Sequence, residues 1–300
     1  MNLYASPLRY PGGKARVSCF VEQLMSCNGM HGGIYAEPYA GGAGVALEML
    51  FSGSAQEIYL NDMDVNIYAF WYAVVHDTQN LISMIEDVEV TFEEWQRQGE
   101  RFRSPESDLS LTERGFATFF LNRCNRSGIL RAGPIGGKKQ AGPWKLDARF
   151  NKEKLIARIL RISAFRDHIH LSRLDALVFL DAFEDIAKQP ETLLYLDPPY
   201  YRKGSALYQN YYQSSDHLAL STYLNTKYAD KKWMISYDKC KAISDLYEGL
   251  RGSSWELNYS ASSTPGKGTE LIFFSPSLVV PSSCKLIVQH DAKKHLNAKL

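Results

Sequence analysis

Two short stretches of this chain hold residues whose types and spacing could do chemistry. The first is Asp197-Pro198-Pro199-Tyr200, which follows the apolar run Thr192–Leu196. Two consecutive prolines stiffen the chain and remove two backbone donors. What remains is a cluster of acceptors, the Asp197 carboxylate and the Pro198 carbonyl, with the Tyr200 ring beside them. Two acceptors can take both hydrogens of an NH2 group on a flat ring and leave the nitrogen lone pair facing an electrophile, while an aromatic side chain stacks on the ring. The plainer reading of the same four residues is a turn that ends a strand.

The second stretch is Glu37-Pro38-Tyr39-Ala40-Gly41-Gly42-Ala43-Gly44, between a short strand and a helix. Glycines there let a ligand approach the backbone and leave the first N–H groups of the helix available. The dinucleotide fingerprint Gly-x-Gly-x-x-Gly fails, because Leu47 stands where its third glycine belongs. An acid ahead of the glycines repels a pyrophosphate but suits a ligand bearing an amino group and a sulfonium. Asp62, at the end of the next strand, is placed to accept from both hydroxyls of a ribose. Gly12-Gly13-Lys14 does not make a phosphate loop, since Ala15 follows where Ser or Thr is required.

The elements that must position these residues alternate at both ends of the chain. Strands are expected at 34–37 and 57–61, with helices at 44–51 and after Asp64, which is a good N-cap for the apolar run 67–75. Strand, helix and strand resume at 169–172, 176–187 and 192–196. A helix at 216–228, a strand at 233–237 and a helix at 239–250 follow, then a closing antiparallel pair at 254–260 and 269–275, with an edge strand at 286–288. The middle differs. Helices are expected at 92–102, 111–125 and from Asn151 to 165, with a turn at 104–107 and a long Gly-, Pro-, Lys- and Arg-rich surface loop at 126–144. The pattern predicts one α/β domain, residues 1–75 and 166–300, interrupted by a helical and basic insertion at 76–165.

Composition narrows the class. Apolar residues make up 45% and charged residues 22%, as in soluble globular proteins. The longest apolar run, 67–75, is far below the roughly 20 residues that span a bilayer, and the first ten residues lack the core of a signal peptide. A cytoplasmic protein is expected. Five scattered cysteines without Cys-x-x-Cys spacing suggest neither a zinc site nor a disulfide framework, and His168 and His170 alone do not make a metal site. Net charge is only +1, yet residues 123–173 carry 13 Lys/Arg against three acids, which leaves −9 on the rest. That asymmetry suggests a basic face for nucleic acid on an acidic body; a solvated basic helix is the alternative.

These motifs, in this order, resemble the Dam-like adenine-N6 DNA methyltransferases (D12 class, alpha group), whose cofactor motifs come first and catalytic motif last. Leu8-Arg9-Tyr10-Pro11-Gly12-Gly13-Lys14 is similar to the family's opening cofactor motif, which would bring Tyr10 and Lys14 to the methionine part of the cofactor. The glycine stretch resembles its second, with Glu37, Pro38, Tyr39, Gly41, Gly42 and Gly44 as cofactor residues and Tyr39 where phenylalanine is commoner. Asn61-Asp62-Met63-Asp64 resembles the ribose-binding strand end, and Leu171-Ser172-Arg173-Leu174-Asp175 the strand that meets the cofactor adenine; Asp64 and Asp181 are alternatives to Asp62 and Asp175. Asp197, Pro198, Pro199 and Tyr200 match the catalytic motif. The stretch from Leu121 to Arg131 is similar to the opening of the DNA-recognition part, and with the basic loop it offers Arg123, Asn125, Arg126, Arg131, Lys138 and Lys139 to DNA.

The resemblance implies a Rossmann-like α/β sheet with an inserted helical target-recognition domain. It implies S-adenosylmethionine as cofactor, double-stranded DNA as partner and an adenine that flips out of the helix. No metal is expected. Cytosine-carbon methylation needs a cysteine nucleophile, and the chain has no Pro-Cys dipeptide. The same acceptor cluster would serve RNA adenine or cytosine N4. A non-catalytic DNA-binding module on the same scaffold, and more remotely a nicotinamide dehydrogenase, remain as readings of a different kind.

Overall fold

Along each central strand, successive side chains enter different cores. Tyr35, Leu193, Tyr195 and Met234 face one cluster; Ala36, Leu194, Leu196, Trp233 and Ile235 face the other. A sheet buried on both faces needs helices on both sides, and parallel strands with crossovers provide them. The computed structural model describes residues 5–9, 15–201, 212–259, 266–281 and 288–289.

Among these residues one sheet contains β1 (Gly33–Glu37), β2 (Ala55–Asn61), β3 (Ile169–Ser172), β4 (Thr192–Leu196), β5 (Trp233–Asp238), β6 (Arg251–Tyr259), β7 (Gly266–Phe274) and β8 (Val288–Gln289). Their order is β3-β2-β1-β4-β5-β7-β6-β8. The first five are parallel, and β7 enters antiparallel between β5 and β6. This is a doubly wound, Rossmann-like sheet.

On one face lie α1 (Ala15–Cys27), α2 (Gly44–Ser52) and α3 (Val65–His76). On the other lie α8 (Ala176–Ala187), α9 (Ser214–Thr226) and α10 (Lys241–Leu246). Helix α10 is shorter than the expected 239–250. The Lys239 N–H is committed to the Thr269 carbonyl at the sheet's end, and Gly249 turns left-handed at φ 86°.

The middle of the chain forms α4 (Thr78–Asp87), α5 (Phe92–Arg103), α6 (Leu111–Cys124) and α7 (Lys152–Ser163). Their apolar residues do not form a core of their own. Leu81 and Ile85, Phe116 and Phe120, Ile159 and Ile162 join the cluster that holds Val45, Leu47 and Ile58. Helix α6 lies so close to α3 that a Cβ on Gly115 would come within 2.5 Å of the Ala69 carbonyl oxygen. The expected boundaries at 75/76 and 165/166 therefore cut the chain without cutting the packing.

Candidate active site

The chain runs from β1 outward to β2 and β3, and from β4 outward to β5, so its winding reverses between β1 and β4. Ligands of open α/β sheets bind at such a switch point, beyond the carboxyl ends of the strands. The two chemically suggestive stretches leave the ends of these two strands. They are neighbours across the crevice.

The glycine turn is held from three sides. Glu37 is buried, and its Oε1 accepts from the Tyr35 hydroxyl at 3.0 Å and the Ala46 N–H at 3.2 Å, inside the first turn of α2. Gly41, at φ 47°, donates its N–H to Asp62 Oδ2 at 2.9 Å, and its carbonyl accepts from Trp71 Nε1 at 2.8 Å. Ala43 is also left-handed, at φ 46°. Among the described residues, a Cβ placed on Gly44 would meet nothing within 4 Å.

The half-buried Asp62 accepts the Gly41 N–H with one carboxylate oxygen and the Asp64 N–H with the other. Each oxygen keeps further acceptor capacity. Burial, and then the charge of Asp64, push the Asp62 carboxyl up to about 7, against the pull of those two hydrogen bonds. Asp64 caps α3 by accepting from the Asn66 N–H at 2.8 Å. Asp175 caps α8 in the same way through Leu177 and is exposed beyond β3. Asp181 bonds Tyr223 on the neighbouring α9 and Lys227 just past its end.

Asp197 Oδ1 accepts from Ser236 Oγ on β5 at 2.8 Å, and Ser236 Oγ lies 2.9 Å from the Tyr195 hydroxyl. The Tyr200 hydroxyl donates to Glu270 Oε1 at 2.6 Å, and the Tyr201 N–H donates to Asp238 Oδ1 at 2.9 Å. Asp238 and Glu270 are paired across β5 and β7. Strand β5, through Ser236 and Asp238, secures the turn after β4 at its carboxylate and its following backbone, and β7, through Glu270, secures the Tyr200 hydroxyl. Pro198 is buried and Pro199 partly so. Tyr39, its hydroxyl 2.7 Å from that of Tyr212, continues through Tyr212, His217 and Tyr201 as an aromatic wall.

Sequence reasoning missed Ser236, Asp238 and Glu270, which lie far along the chain and carry no motif. Asn61 also carries a role that its motif does not announce. Asn61 is fully buried and bonds the Pro38 carbonyl, the Leu174 N–H and carbonyl, and the Ser172 hydroxyl, so it ties together the ends of β1, β2 and β3. Its signal was an amide at a strand end where an apolar residue would fit. Tyr10 and Lys14 lie outside the described residues.

The residues expected at DNA divide. Arg126, Arg131, Lys138 and Lys139 are exposed. Asn125 is not: it is buried, its Oδ1 accepts from Trp95 Nε1 at 2.7 Å, and its amide donates to the carbonyls of Ile129 and Leu130. Arg123 is half-buried and donates to the carbonyls of Arg149 and Pro7. The loop between them is internally bonded. Gln140 donates to Ile135 and Gly137 carbonyls and accepts from the Leu146 N–H, and Asn125 bridges Pro134.

Residues 10–260 match the D12 class N6 adenine-specific DNA methyltransferases. The chain belongs to that family. As a D12 class methyltransferase it methylates the N6 amino group of adenine in DNA with S-adenosylmethionine as donor. This removes the RNA, cytosine-N4 and dehydrogenase readings. No curated protein matches the chain. The crevice suits the donor: among the described residues nothing crowds Gly44 at the start of α2, and the carboxylates of Glu37 and Asp62 complement a cationic, hydroxyl-bearing molecule. Among the described residues no helix is long and apolar enough to cross a membrane.

Proposed function

We propose that this D12 class methyltransferase acts on double-stranded DNA and swings the target adenine into the crevice between the ends of β1 and β4. Asp197 and Pro198 accept the two N6 hydrogens, Pro199 stiffens the turn, and Tyr200 flanks the base. The observation that carries this reading is the hydrogen bond from Ser236, which orients the Asp197 carboxylate at the switch point. S-adenosylmethionine, when bound, supplies an electrophilic sulfonium methyl. Positioning and fixed dipoles do the rest, and Asp197 need not be a strong base, because the nitrogen can lose its proton after transfer.

On the cofactor side, Asp62 receives the ribose hydroxyls, because Asp64 is committed to its helix. Asp175 meets the adenine end, because it stands exposed at the end of β3 while Asp181 is held by Tyr223 and Lys227. Glu37, Pro38, Tyr39, Gly41, Gly42 and Gly44 shape the turn, and Tyr10 and Lys14 reach the methionine part. Residues 76–165 form the target-recognition part, in which Arg126, Arg131, Lys138 and Lys139 meet DNA while Asn125 shapes the loop beneath them. A DNA substrate fits work in the cytoplasm.

The test begins by mapping the methylated adenine in DNA from cells expressing the protein. A duplex carrying 2-aminopurine at that position then gains fluorescence on binding if the base leaves the stack; an unchanged signal overturns the flipping step. Asp197→Ala is expected to abolish N6-methyladenine while cofactor affinity, read by calorimetry, stays within a few-fold. Loss of cofactor binding in that variant would place Asp197 at the donor and not at the base.

A further inference from the structure

Beneath the basic loop, four arginines from three separate segments converge. Arg9, in the N-terminal segment, donates to the carbonyls of Arg123 and Asn125. Arg123, near the end of α6, donates to the carbonyls of Arg149 and Pro7. Arg158, in α7, donates to the Ser6 carbonyl, and its Nε is buried without an acceptor among the described residues. Arg149 is exposed, with its guanidinium 6.0 Å from the ring of Trp144, itself 66% exposed.

Among the described residues none of the four has a carboxylate partner. Among the described residues the arginines paired with acids are Arg97, Arg101, Arg166 and Arg173. Burial, then the charges of Arg9 and Arg158, hold the Arg123 guanidinium down at about 9. Pinning backbone carbonyls does not call for four like charges in one place; single neutral donors would do it without the repulsion. A guanidinium has five donors in a planar fork, and these bonds leave most of them over. Clustered guanidinium forks with unspent donors match the oxygens of a phosphate.

We propose that Arg9, Arg123, Arg149 and Arg158 form a seat for one backbone phosphate of the substrate DNA, where residues 5–9 meet the end of α6 and the middle of α7. The proposal rests on the DNA-binding reading above and adds the contact that fixes the protein's register on the duplex. Phosphate contacts of this kind position a protein without reading sequence. The four arginines are different residues from the exposed loop cations Arg126, Arg131, Lys138 and Lys139, so the two sets can be separated by mutation.

The experiment measures duplex affinity against salt for the wild type, Arg158→Gln, Arg149→Gln and Arg161→Gln. Arg161 is the control: it lies three residues beyond Arg158 on the same helix but stacks over Phe51 at 3.9 Å. Removing a seat arginine is expected to weaken duplex binding severalfold and to lower the salt slope measurably, by at most about one for the single phosphate, and removing Arg161 to leave both unchanged. Arg149 makes no side-chain hydrogen bond among the described residues, so Arg149→Gln serves if Arg158→Gln folds poorly. In parallel, inorganic phosphate at constant ionic strength is expected to raise the melting temperature of the wild type more than that of Arg149→Gln.

A phosphate effect without a slope change would mean a free phosphate occupies the seat, and the DNA assignment would fall. Equal slopes and equal phosphate responses in all four proteins would leave the arginines as carbonyl pins and overturn the proposal. Failure of the catalytic reading shows separately, as absent N6-methyladenine with the wild type.

Discussion

Asp62 is the residue whose charge state the fold leaves open near neutrality, since burial and Asp64 raise its carboxyl to about 7. Its folded value lies above the ordinary carboxylate value. The group therefore contributes most to stability below about pH 4, and that contribution is lost as pH rises through about 7. Cofactor binding has the opposite sign, because two ribose hydroxyls are best accepted by the ionised form. Affinity for S-adenosylmethionine is expected to rise from pH 6 to 8 in the wild type, with the rise flattened in Asp62→Ala; parallel profiles from calorimetry would remove Asp62 from the ribose. Tyr200 poses a different question. Its hydroxyl is bonded to the fully buried Glu270, so Tyr200→Phe disturbs a buried carboxylate as well as losing a hydrogen bond. We expect Tyr200→Phe to lower stability by about 1–3 kcal/mol while keeping more turnover than Tyr200→Ala, because the ring flanks the base. Equal turnover in the two variants, with melting temperatures matched by assay temperature, would assign the role to the hydroxyl.

At the scale of elements, glycines mark where backbone meets ligand and where backbone meets backbone, and two substitutions tell these apart. Gly44 opens α2 with space above it, so Gly44→Ala is expected to leave stability unchanged or raise it by up to about 1 kcal/mol. It should nonetheless weaken cofactor binding at least tenfold, because the new methyl group occupies the approach to the helix start. Gly115→Ala drives a Cβ against the Ala69 carbonyl and is expected to cost about 1–3 kcal/mol by overpacking, with cofactor affinity per folded molecule retained. Denaturant unfolding and calorimetry on both variants check the contrast. The same elements show what a sequence exposes. The parallel strands, α8 and the Asp64 and Asn151 caps were legible because apolar runs and capping residues act locally. Helix α4 was not, because only Asp77 separates it from α3 and the apolar pattern changes axis without a loop. The clamp on the catalytic turn was not legible either: Ser236, Asp238 and Glu270 meet residues 195–201 only through the pairing of β4, β5 and β7, and strand register has no local signature. Asn125 was misplaced for a related reason, since an amide in a basic stretch looks solvent-facing until its three partners are known.

Over the whole molecule, charge is divided between a basic stretch and an acidic remainder, and the division is what a DNA enzyme with near-zero net charge requires. The basic stretch is also ordered by its own bonds. Gln140 and Asn125 bind its backbone, so Arg126, Arg131, Lys138 and Lys139 are presented from a shaped surface and not from a slack one. Two kinds of variant follow from their types. A lysine offers a point charge to phosphates, whereas an arginine's fork can also read the edge of a guanine. Lys138→Ala and Lys139→Ala are each expected to weaken binding to every duplex alike and to lower the salt slope by about one. Arg126→Ala or Arg131→Ala is expected to relax preference at a single base pair, by about 1–3 kcal/mol. Affinity measured against salt, with site preference read by sequencing of methylated DNA, distinguishes the two behaviours. A uniform loss in all four variants would make the loop a phosphate-binding surface only. Unchanged affinity and preference in all four, with the fold intact, would move recognition to the exposed face of α5. The lysine arm also fixes how the loop relates to the arginine seat: if loop and seat grip separate phosphates, Lys138→Ala combined with Arg149→Gln lowers the slope by the sum of the two single effects.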